Sequence, residues 1–493
     1  MTFKLSIDFV MIIGKYFISP NDFINIMKAN KKYKELVLMY RFNPISDYRL
    51  FENIETQHFY NKEDVKNKKN GLYRYVYWFP IDYKLIKNKK DNEIFKSIEL
   101  NSKEIDWWTK EYYENLISLK DKRKPPLEIK NGNCIIPEEI TKIGNECFYN
   151  CLELTNIILP NSLKEIGNEA FLNTGITTII IPECVTKIGK KCFRYCDKLT
   201  SITIPSSLKE IDEDVFICSN IETITISEGV TKIRDDCFYR CSELTNVILP
   251  HSLREIGNSV FYRTNIKSII IPEGVIRIGD CCFDSCTSLT NITLPFSLKQ
   301  IGDNVFCGSN IITITIPEGV TKIGNYCFHN CWKLTNIFLP KSLKEIGKGV
   351  FYESSIESII ISEGTTKIGN ECFNNCHRLT SIKLPSSLIE IGKFAFYNSS
   401  IKSIIIPEGV TKIGECCFRD SSQLTNIILP TSLKEIGDHA FLRSKINSIK
   451  IPENVTKIGE YCFSICDELT SITLPSSLKH NIDYINPNRI FTY

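Results

Sequence analysis

Residues 181–225 read IPECVTKIGKKCFRYCDKLTSIT followed by IPSSLKEIDEDVFICSNIETIT, and units of these two kinds alternate along the chain. The Ile-Pro, Leu-Pro or Ile-Ser pair that opens a unit returns at steps of 23 and 22 residues for about 340 residues. A fixed period of this size is typical of a solenoid, in which each unit is one coil and buries its apolar side by stacking on its neighbours. The spacing therefore predicts one continuous array of coils.

The end of each unit has the spacing of a β-strand. In LTNIILP at residues 154–160, Ile157 and Leu159 alternate with Asn156 and Ile158. This alternation predicts a half-buried strand that a proline ends, and the strands of successive coils should stack in parallel.

The rest of a unit returns the chain to the next strand. A second short extended piece at residues 185–188 leads to a turn at Gly189, and KKCFRYC at residues 190–196 is predicted as a tight segment of about one helical turn. One phenylalanine recurs in every complete unit, which predicts a continuous aromatic stack in the core. These residues are Phe148, Phe171, Phe193, Phe216, Phe238, Phe261, Phe283, Phe306, Phe328, Phe351, Phe373, Phe396, Phe418, Phe441 and Phe463.

Units of the form LTxIxIPxxVxxIGxxxF resemble the BspA-like leucine-rich-repeat family, and the resemblance covers roughly residues 130–480. The resemblance implies a β-rich, right-handed solenoid of parallel strands with about 15 to 16 coils. It also implies a role in surface adhesion or protein binding rather than catalysis. Because one fold can carry many functions, the implied function is an expectation only.

The ends of the chain differ from the array. Residues 1–127 are predicted to form a small α+β cap module, residues 128–480 the solenoid, and residues 481–493 a C-terminal tail. In the cap module an amphipathic helix follows Pro20 and resembles an F-box, although the opening Leu-Pro pair of that motif is missing. LYRYVYWF at residues 72–79 is predicted as a β-rich edge.

The composition of the chain restricts where in the cell the protein is expected to reside. The 493 residues are 43% hydrophobic and 24% charged, and no apolar run is long enough to cross a membrane. The apolar stretch at residues 9–13 is short and lies beside Asp8, which argues against a secretory signal. These features predict a cytoplasmic protein without a transmembrane segment, whereas association with the cell surface follows from the family resemblance alone.

The chain is cysteine-rich, with 21 cysteines that lie mostly in the CFxxC segments of the 23-residue units. The equivalent positions of the 22-residue units hold small residues such as Val215 and Ser219, so cysteine behaves as one more small residue in a tight corner. Cysteines of successive 23-residue units should lie about 10 Å apart, beyond the roughly 7 Å that a disulfide spans. Reduced structural thiols are therefore favoured over disulfides within a pair or metal binding, and they favour a reducing compartment.

No catalytic constellation is present. The six histidines fall in different repeat columns, and the chain contains no GxxxxGK[ST], GxSxG or HExxH motif. We therefore expect no enzyme activity, no catalytic or cofactor-binding residue, no cofactor and no metal site.

Alternating charges form one column when units are aligned on Ile-Gly. Each exposed pair is worth about 0.5 kcal/mol, but a ladder of such pairs fixes the register between coils and argues against a nucleic-acid groove. The column holds Lys142, Glu165, Lys187, Glu210, Lys232, Glu255, Arg277, Gln300, Lys322, Glu345, Lys367, Glu390, Lys412, Glu435 and Lys457.

The outward positions of the strands carry the functional hypothesis. Only Lys383 and Lys450 among them are charged, and the others are Thr, Ser, Asn and a stripe of apolar residues. Exposed apolar patches mark binding sites, although β-branched residues also stabilise strands without any partner. The predicted partner-binding residues are Ile158, Ile180, Ile248, Ile270, Phe338, Ile360, Ile405 and Ile428.

The sequence thus predicts a non-catalytic scaffold or adhesion-type repeat protein that binds a protein partner along its strand face. The alternative is an F-box-like substrate adaptor of a ubiquitin ligase, in which residues 1–127 dock the ligase and the solenoid selects the substrate. Neither the identity of the partner nor the oligomeric state follows from the residues.

Overall fold

The computed structural model describes residues 132–138 and 140–478, together with strands at residues 56–59, 74–77, 81–82, 93–95, 98–100 and 491–492. Residues 132–478 form a parallel β-solenoid in which each coil has a longer strand, a two-residue strand and a side built of turns. The solenoid predicted from the 22- and 23-residue steps is confirmed.

The longer strands form the first side of the solenoid. Their inward residues alternate with outward ones, as in Ser201–Ile204, where Ile202 and Ile204 are buried and Ser201 and Thr203 are exposed. The first six strands are hydrogen-bonded as one sheet and most of the later ones in successive pairs. The strands are Asn133–Ile135, Asn156–Ile158, Thr178–Ile179, Ser201–Ile204, Thr223–Ile226, Asn246–Ile248, Ser268–Ile270, Asn291–Thr293, Thr313–Thr315, Asn336–Phe338, Ser358–Ile360, Ser381–Lys383, Ser403–Ile405, Asn426–Ile428, Ser448–Lys450 and Ser471–Thr473.

The two-residue strands form the second side, and each places one charged or polar residue outside and one isoleucine inside. At Gly189, which follows such a strand, a Cβ atom would lie 2.5 Å from the backbone nitrogen of Asn168 in the preceding coil. Close stacking of the coils therefore favours glycine here. The strands are Lys142–Ile143, Glu165–Ile166, Lys187–Ile188, Glu210–Ile211, Lys232–Ile233, Glu255–Ile256, Arg277–Ile278, Gln300–Ile301, Lys322–Ile323, Glu345–Ile346, Lys367–Ile368, Glu390–Ile391, Lys412–Ile413, Glu435–Ile436 and Lys457–Ile458.

The third side is built of turns, so the helical turn expected at residues 190–196 is wrong. Two residues four positions apart adopt left-handed backbone angles there, as Lys191 and Tyr195 do with φ of 56° and 57°. This conformation breaks a helix but lets the backbone bond to the next coil, since the N–H of Phe193 donates to the carbonyl of Val215 at 2.8 Å. The hydrogen-bond ladder thus continues around the corner.

The phenylalanine column is confirmed as the centre of the core. Neighbouring rings from Phe148 to Phe463 stack with centroids 5.2 to 5.9 Å apart and planes within 18° of parallel. Each ring therefore packs on the coils above and below it, and a coil without neighbours would expose both faces of its ring.

The predicted charge column forms ion pairs between coils, with one local rearrangement. Lys232 pairs with Glu255 at 2.9 Å, and Lys412 with Glu435 at 3.0 Å. Glu210 instead forms an ion pair with Arg234 at 3.0 Å. The coil of Arg234 has arginine at a position where most other coils have glycine. The ladder also includes the pairs Lys142–Glu165, Arg277–Glu255, Lys322–Glu345, Lys367–Glu390 and Lys457–Glu435.

Strands outside the regular array extend it at both ends. Ile98–Leu100 pairs with Lys142–Ile143, and Phe491–Thr492 pairs with Ser471–Thr473 at the other end. Arg74–Tyr77 is a strand as predicted, but it lies between two partners rather than at an edge. The division into cap, solenoid and tail stays a prediction. The remaining elements are Thr56–Phe59, Glu93–Phe95, Ile81–Asp82 and the 3-10 helix Ser476–Leu478.

Candidate binding surface

The outward side chains of the longer strands form a surface that we call the strand face, running from residue 133 to residue 473. All eight apolar residues predicted to bind a partner lie on this face, and their exposed fractions range from 51% to 84%. They project outward because their strand neighbours, such as Ile157 and Ile179, turn into the core. The exposed residues are Ile158, Ile180, Ile248, Ile270, Phe338, Ile360, Ile405 and Ile428.

Two hollows indent the strand face. The first, of about 590 Å³, lies over the strands from Thr178 to Thr225 beside Ile180. The second, of about 630 Å³, is lined by Phe338, Ile360 and Lys383. The face is thus uneven, and each hollow adjoins exposed apolar side chains, as on surfaces that receive a partner.

The exposed apolar side chains outside the predicted set include Ile135, Phe296 and Trp332. Ile135 belongs to the same outward column, one coil before Ile158, and its position in the repeat could have identified it. Phe296 and Trp332 lie at turns outside the strands, where no periodic signal marks an exposed residue.

The cysteines make hydrogen bonds that their spacing did not predict. The thiol of Cys241, at the second position of a CFxxC segment, donates to the carbonyl of Phe216 at 2.9 Å. Ser421, which replaces cysteine in its own coil, makes the same bond to Phe396 at 3.0 Å. The second-position cysteine is therefore a buried hydrogen-bond donor as well as a small residue.

Burial keeps these thiols protonated. Desolvation raises the pKa of Cys196 to about 11 and that of Cys241 to about 12. It also raises the pKa of the first-position thiols, such as Cys192. Because the thiolate is the reactive form of cysteine, the core thiols should be inert while the chain is folded.

We expect a thiol reagent at neutral pH to modify few of the 21 cysteines of the native protein and all of them after denaturation. Counting the modified residues by mass spectrometry, with and without guanidinium, measures this. Disulfide-linked peptides or bound zinc in freshly isolated protein would contradict a structural role. The half-buried cysteines, which should react first, are Cys151, Cys184, Cys218, Cys281 and Cys307.

One cysteine lies beside a histidine. The Cys307 sulfur is 3.7 Å from Nδ1 of His329. Burial raises the pKa of Cys307 to about 12 and lowers the pKa of His329, so both groups are held in their neutral forms. A thiolate–imidazolium pair, which cysteine nucleophiles use, is therefore disfavoured. Among residues 132–478 as described, no group of three metal-ligating side chains comes together.

The repeats of this chain match the model of a known repeat family. The model of the BspA type leucine rich repeat region, which contains six copies of the repeat, matches residues 128–245, 211–331, 299–422 and 389–486. The chain belongs to this leucine-rich repeat family. Families with this solenoid are generally protein-interaction or adhesion scaffolds and are typically non-catalytic.

The chain is similar to solved structures of other leucine-rich repeat proteins. A leucine-rich repeat protein from Bacteroides ovatus is 25% identical, with a TM-score of 0.54, over 76% of this chain and 100% of that one. A leucine rich cell surface protein from Faecalibacterium prausnitzii is 24% identical over 83% of this chain and 86% of that one, with a TM-score of 0.34. No curated protein sequence is similar to the chain.

These comparisons do not test the predicted F-box-like adaptor function or the predicted cytoplasmic location. The F-box-like segment lies outside the described residues, and the adaptor function stays a prediction. In the part of the chain that the structure describes, no helix is long and apolar enough to cross a membrane. Cytoplasmic location also stays a prediction.

Proposed function

We propose that this leucine-rich repeat chain is a non-catalytic scaffold that binds a protein partner along the strand face. The observation that carries the proposal is a series of exposed isoleucines, with Phe338 among them, on a face whose outward strand positions include only Lys383 and Lys450 as charged residues. Contact between exposed apolar side chains and water is unfavourable. A partner that covers these side chains would remove them from water.

Most of the apolar residues come in pairs from adjacent coils, and the first three predicted pairs begin four coils apart. Ile158 and Ile180 are followed by Ile248 and Ile270 after 90 residues. Phe338 begins the next pair after another 90 residues. Four coils at a strand spacing of about 4.8 Å correspond to about 19 Å, and paired threonines lie between the first pairs. The strand face thus offers several separate apolar contacts along its length.

The dimensions of the strand face restrict the shape of its partner. Three strand residues span about 10 Å, so each coil offers about 50 Å². A stable interface takes about 800 Å² from each partner, which is nearly the whole face. The partner should therefore be elongated and lie along the solenoid axis, so that it touches several apolar pairs at once.

The proposal is tested by replacing Ile248, Ile270 and Phe338 together with lysine. Lysines on this face must lose water without gaining a partner, so retention of the protein partner should fall at least tenfold. The three side chains are exposed, so the midpoint of thermal unfolding should change little. Quantitative affinity capture with the full chain, compared between native and variant bait, measures retention.

A matched control changes three lysines on the second side of the solenoid. Lys187, Lys232 and Lys322 to serine also alters three charges, but these residues lie away from the strand face. Partner retention should be nearly native. If this control abolishes retention and the strand-face variant keeps it, the binding surface lies on the other side and the proposal is wrong.

A further inference from the structure

A cleft of about 300 Å³ opens at a corner of the solenoid, away from the strands. Trp332 lies at one end and His377 occupies the equivalent repeat position two coils later. Ser354 and Ser355 lie between them in the intervening coil and line the cleft with small side chains. An indole and an imidazole thus line one cleft whose volume is suited to a ring-sized ligand.

Trp332 has no evident structural role at this position. The equivalent residue in most other 23-residue coils is small or polar, as in Asp197, Ser242 and Thr287, and Leu152 is the other large apolar residue in this column. The indole of Trp332 is 66% exposed, so it contributes little to the core while leaving a large apolar ring in water. A ligand that covers the ring would remove this cost.

The rim of the cleft is polar and electrically balanced. It contains the carboxylate of Glu353, the amide of Asn375, the imidazole of His377 and the guanidinium of Arg378. The bond from Asn375 to Glu353 is long, at 3.4 Å, which leaves the carboxylate able to accept stronger hydrogen bonds. The rim therefore offers both donors and acceptors around one aromatic ring.

We propose that this cleft binds a neutral saccharide ring. A pyranose has an apolar C–H face that can lie on the indole of Trp332, and its hydroxyl groups both donate and accept hydrogen bonds. Glu353 and Asn375 accept from these hydroxyls, and Arg378 and Asn375 donate to them. A charged ligand is disfavoured because either Glu353 or Arg378 would repel it. This site is separate from the strand face and does not depend on a protein partner there.

The test is titration of the full chain with the methyl glycosides of glucose, galactose, mannose and N-acetylglucosamine, followed by saturation-transfer difference NMR and calorimetry. At least one glycoside should bind saturably with a Kd of about 1 mM, as expected for one small ring in an open cleft. Trp332→Ala should weaken this binding at least tenfold, and Glu353→Gln at least threefold. Both side chains are outside the core, so thermal unfolding should be nearly native.

The matched control is Leu152→Ala, which truncates an exposed residue, 62% accessible, at the equivalent position of another coil. This variant should bind the glycoside like the native chain. Absence of saturable binding by all four glycosides overturns the proposal. Equal binding by the Trp332→Ala and native proteins also overturns it, because the ligand would then lie elsewhere.

Discussion

Between about pH 9 and about pH 12 the coil array is expected to lose stability steeply, because its buried thiols cannot ionise in place. The pKa of the thiols of Cys196 and Cys286 is raised to about 11, and that of Cys241, Cys331 and Cys376 to about 12. In the unfolded chain the same thiols titrate near about 8.5. The folded chain therefore binds more protons in this interval, and its free energy of unfolding falls as the pH rises.

The expected loss in the free energy of unfolding follows from how far burial raises the thiol pKa values. The contribution of each thiol is fully present below about pH 8.5 and is lost as the pH rises through the raised pKa. Raising the pKa of one thiol this far corresponds to about 3 kcal/mol, so the five thiols together are comparable with the about 5 to 15 kcal/mol by which most domains are stable. Far-UV circular dichroism against pH in a reducing buffer should show cooperative loss of β-structure in this range.

A control variant separates the thiols from tyrosine and lysine, which titrate in the same range. Changing Cys196, Cys241, Cys286, Cys331 and Cys376 together to serine keeps the buried donor, as Ser421 does in its own coil, but removes the titrating group. The alkaline midpoint of this variant should be higher by at least about half a pH unit. An unchanged midpoint would show that ionisation of these thiols does not limit stability.

The array could be predicted in detail because its period constrains every position. Once Ile157 is assigned to the core, Ile158 must point outward, and the same holds one coil later for Ile179 and Ile180. Because the units repeat, the same assignment of inward and outward residues applies to every coil. The inward phenylalanines and the charge column followed by the same logic.

The features that could not be predicted depend on contacts between coils that the repeat pattern does not specify. The left-handed backbone of Lys191 and Tyr195 is set by hydrogen bonds to the next coil, and such residues carry no common side-chain signal. Arg234 captures Glu210 because it replaces a glycine in one coil alone. Trp332 is likewise the one tryptophan in its column, and its cleft forms when the neighbouring coils are in place.

Deleting half of a double unit is expected to destabilise the solenoid far more than deleting a whole one. Removal of residues 272–316 joins a 22-residue coil to a 23-residue coil, as in the native array. Glu255 then meets Lys322, and the thiol of Cys331 replaces that of Cys286 as donor to the Phe261 carbonyl, a bond of 2.9 Å in the native chain. The shorter protein should remain folded, with a thermal midpoint near the native one.

Removal of residues 272–294 instead joins two 22-residue coils. Glu255 then faces Gln300 without a cation, and Ser309 takes the place of Cys286 in a corner that is one residue shorter. We expect the loss of the ion pair and of the corner geometry to cost several kcal/mol together. Calorimetric unfolding of the two full-chain deletions compares them directly. Equal midpoints would show that the alternation of coil types does not contribute to stability.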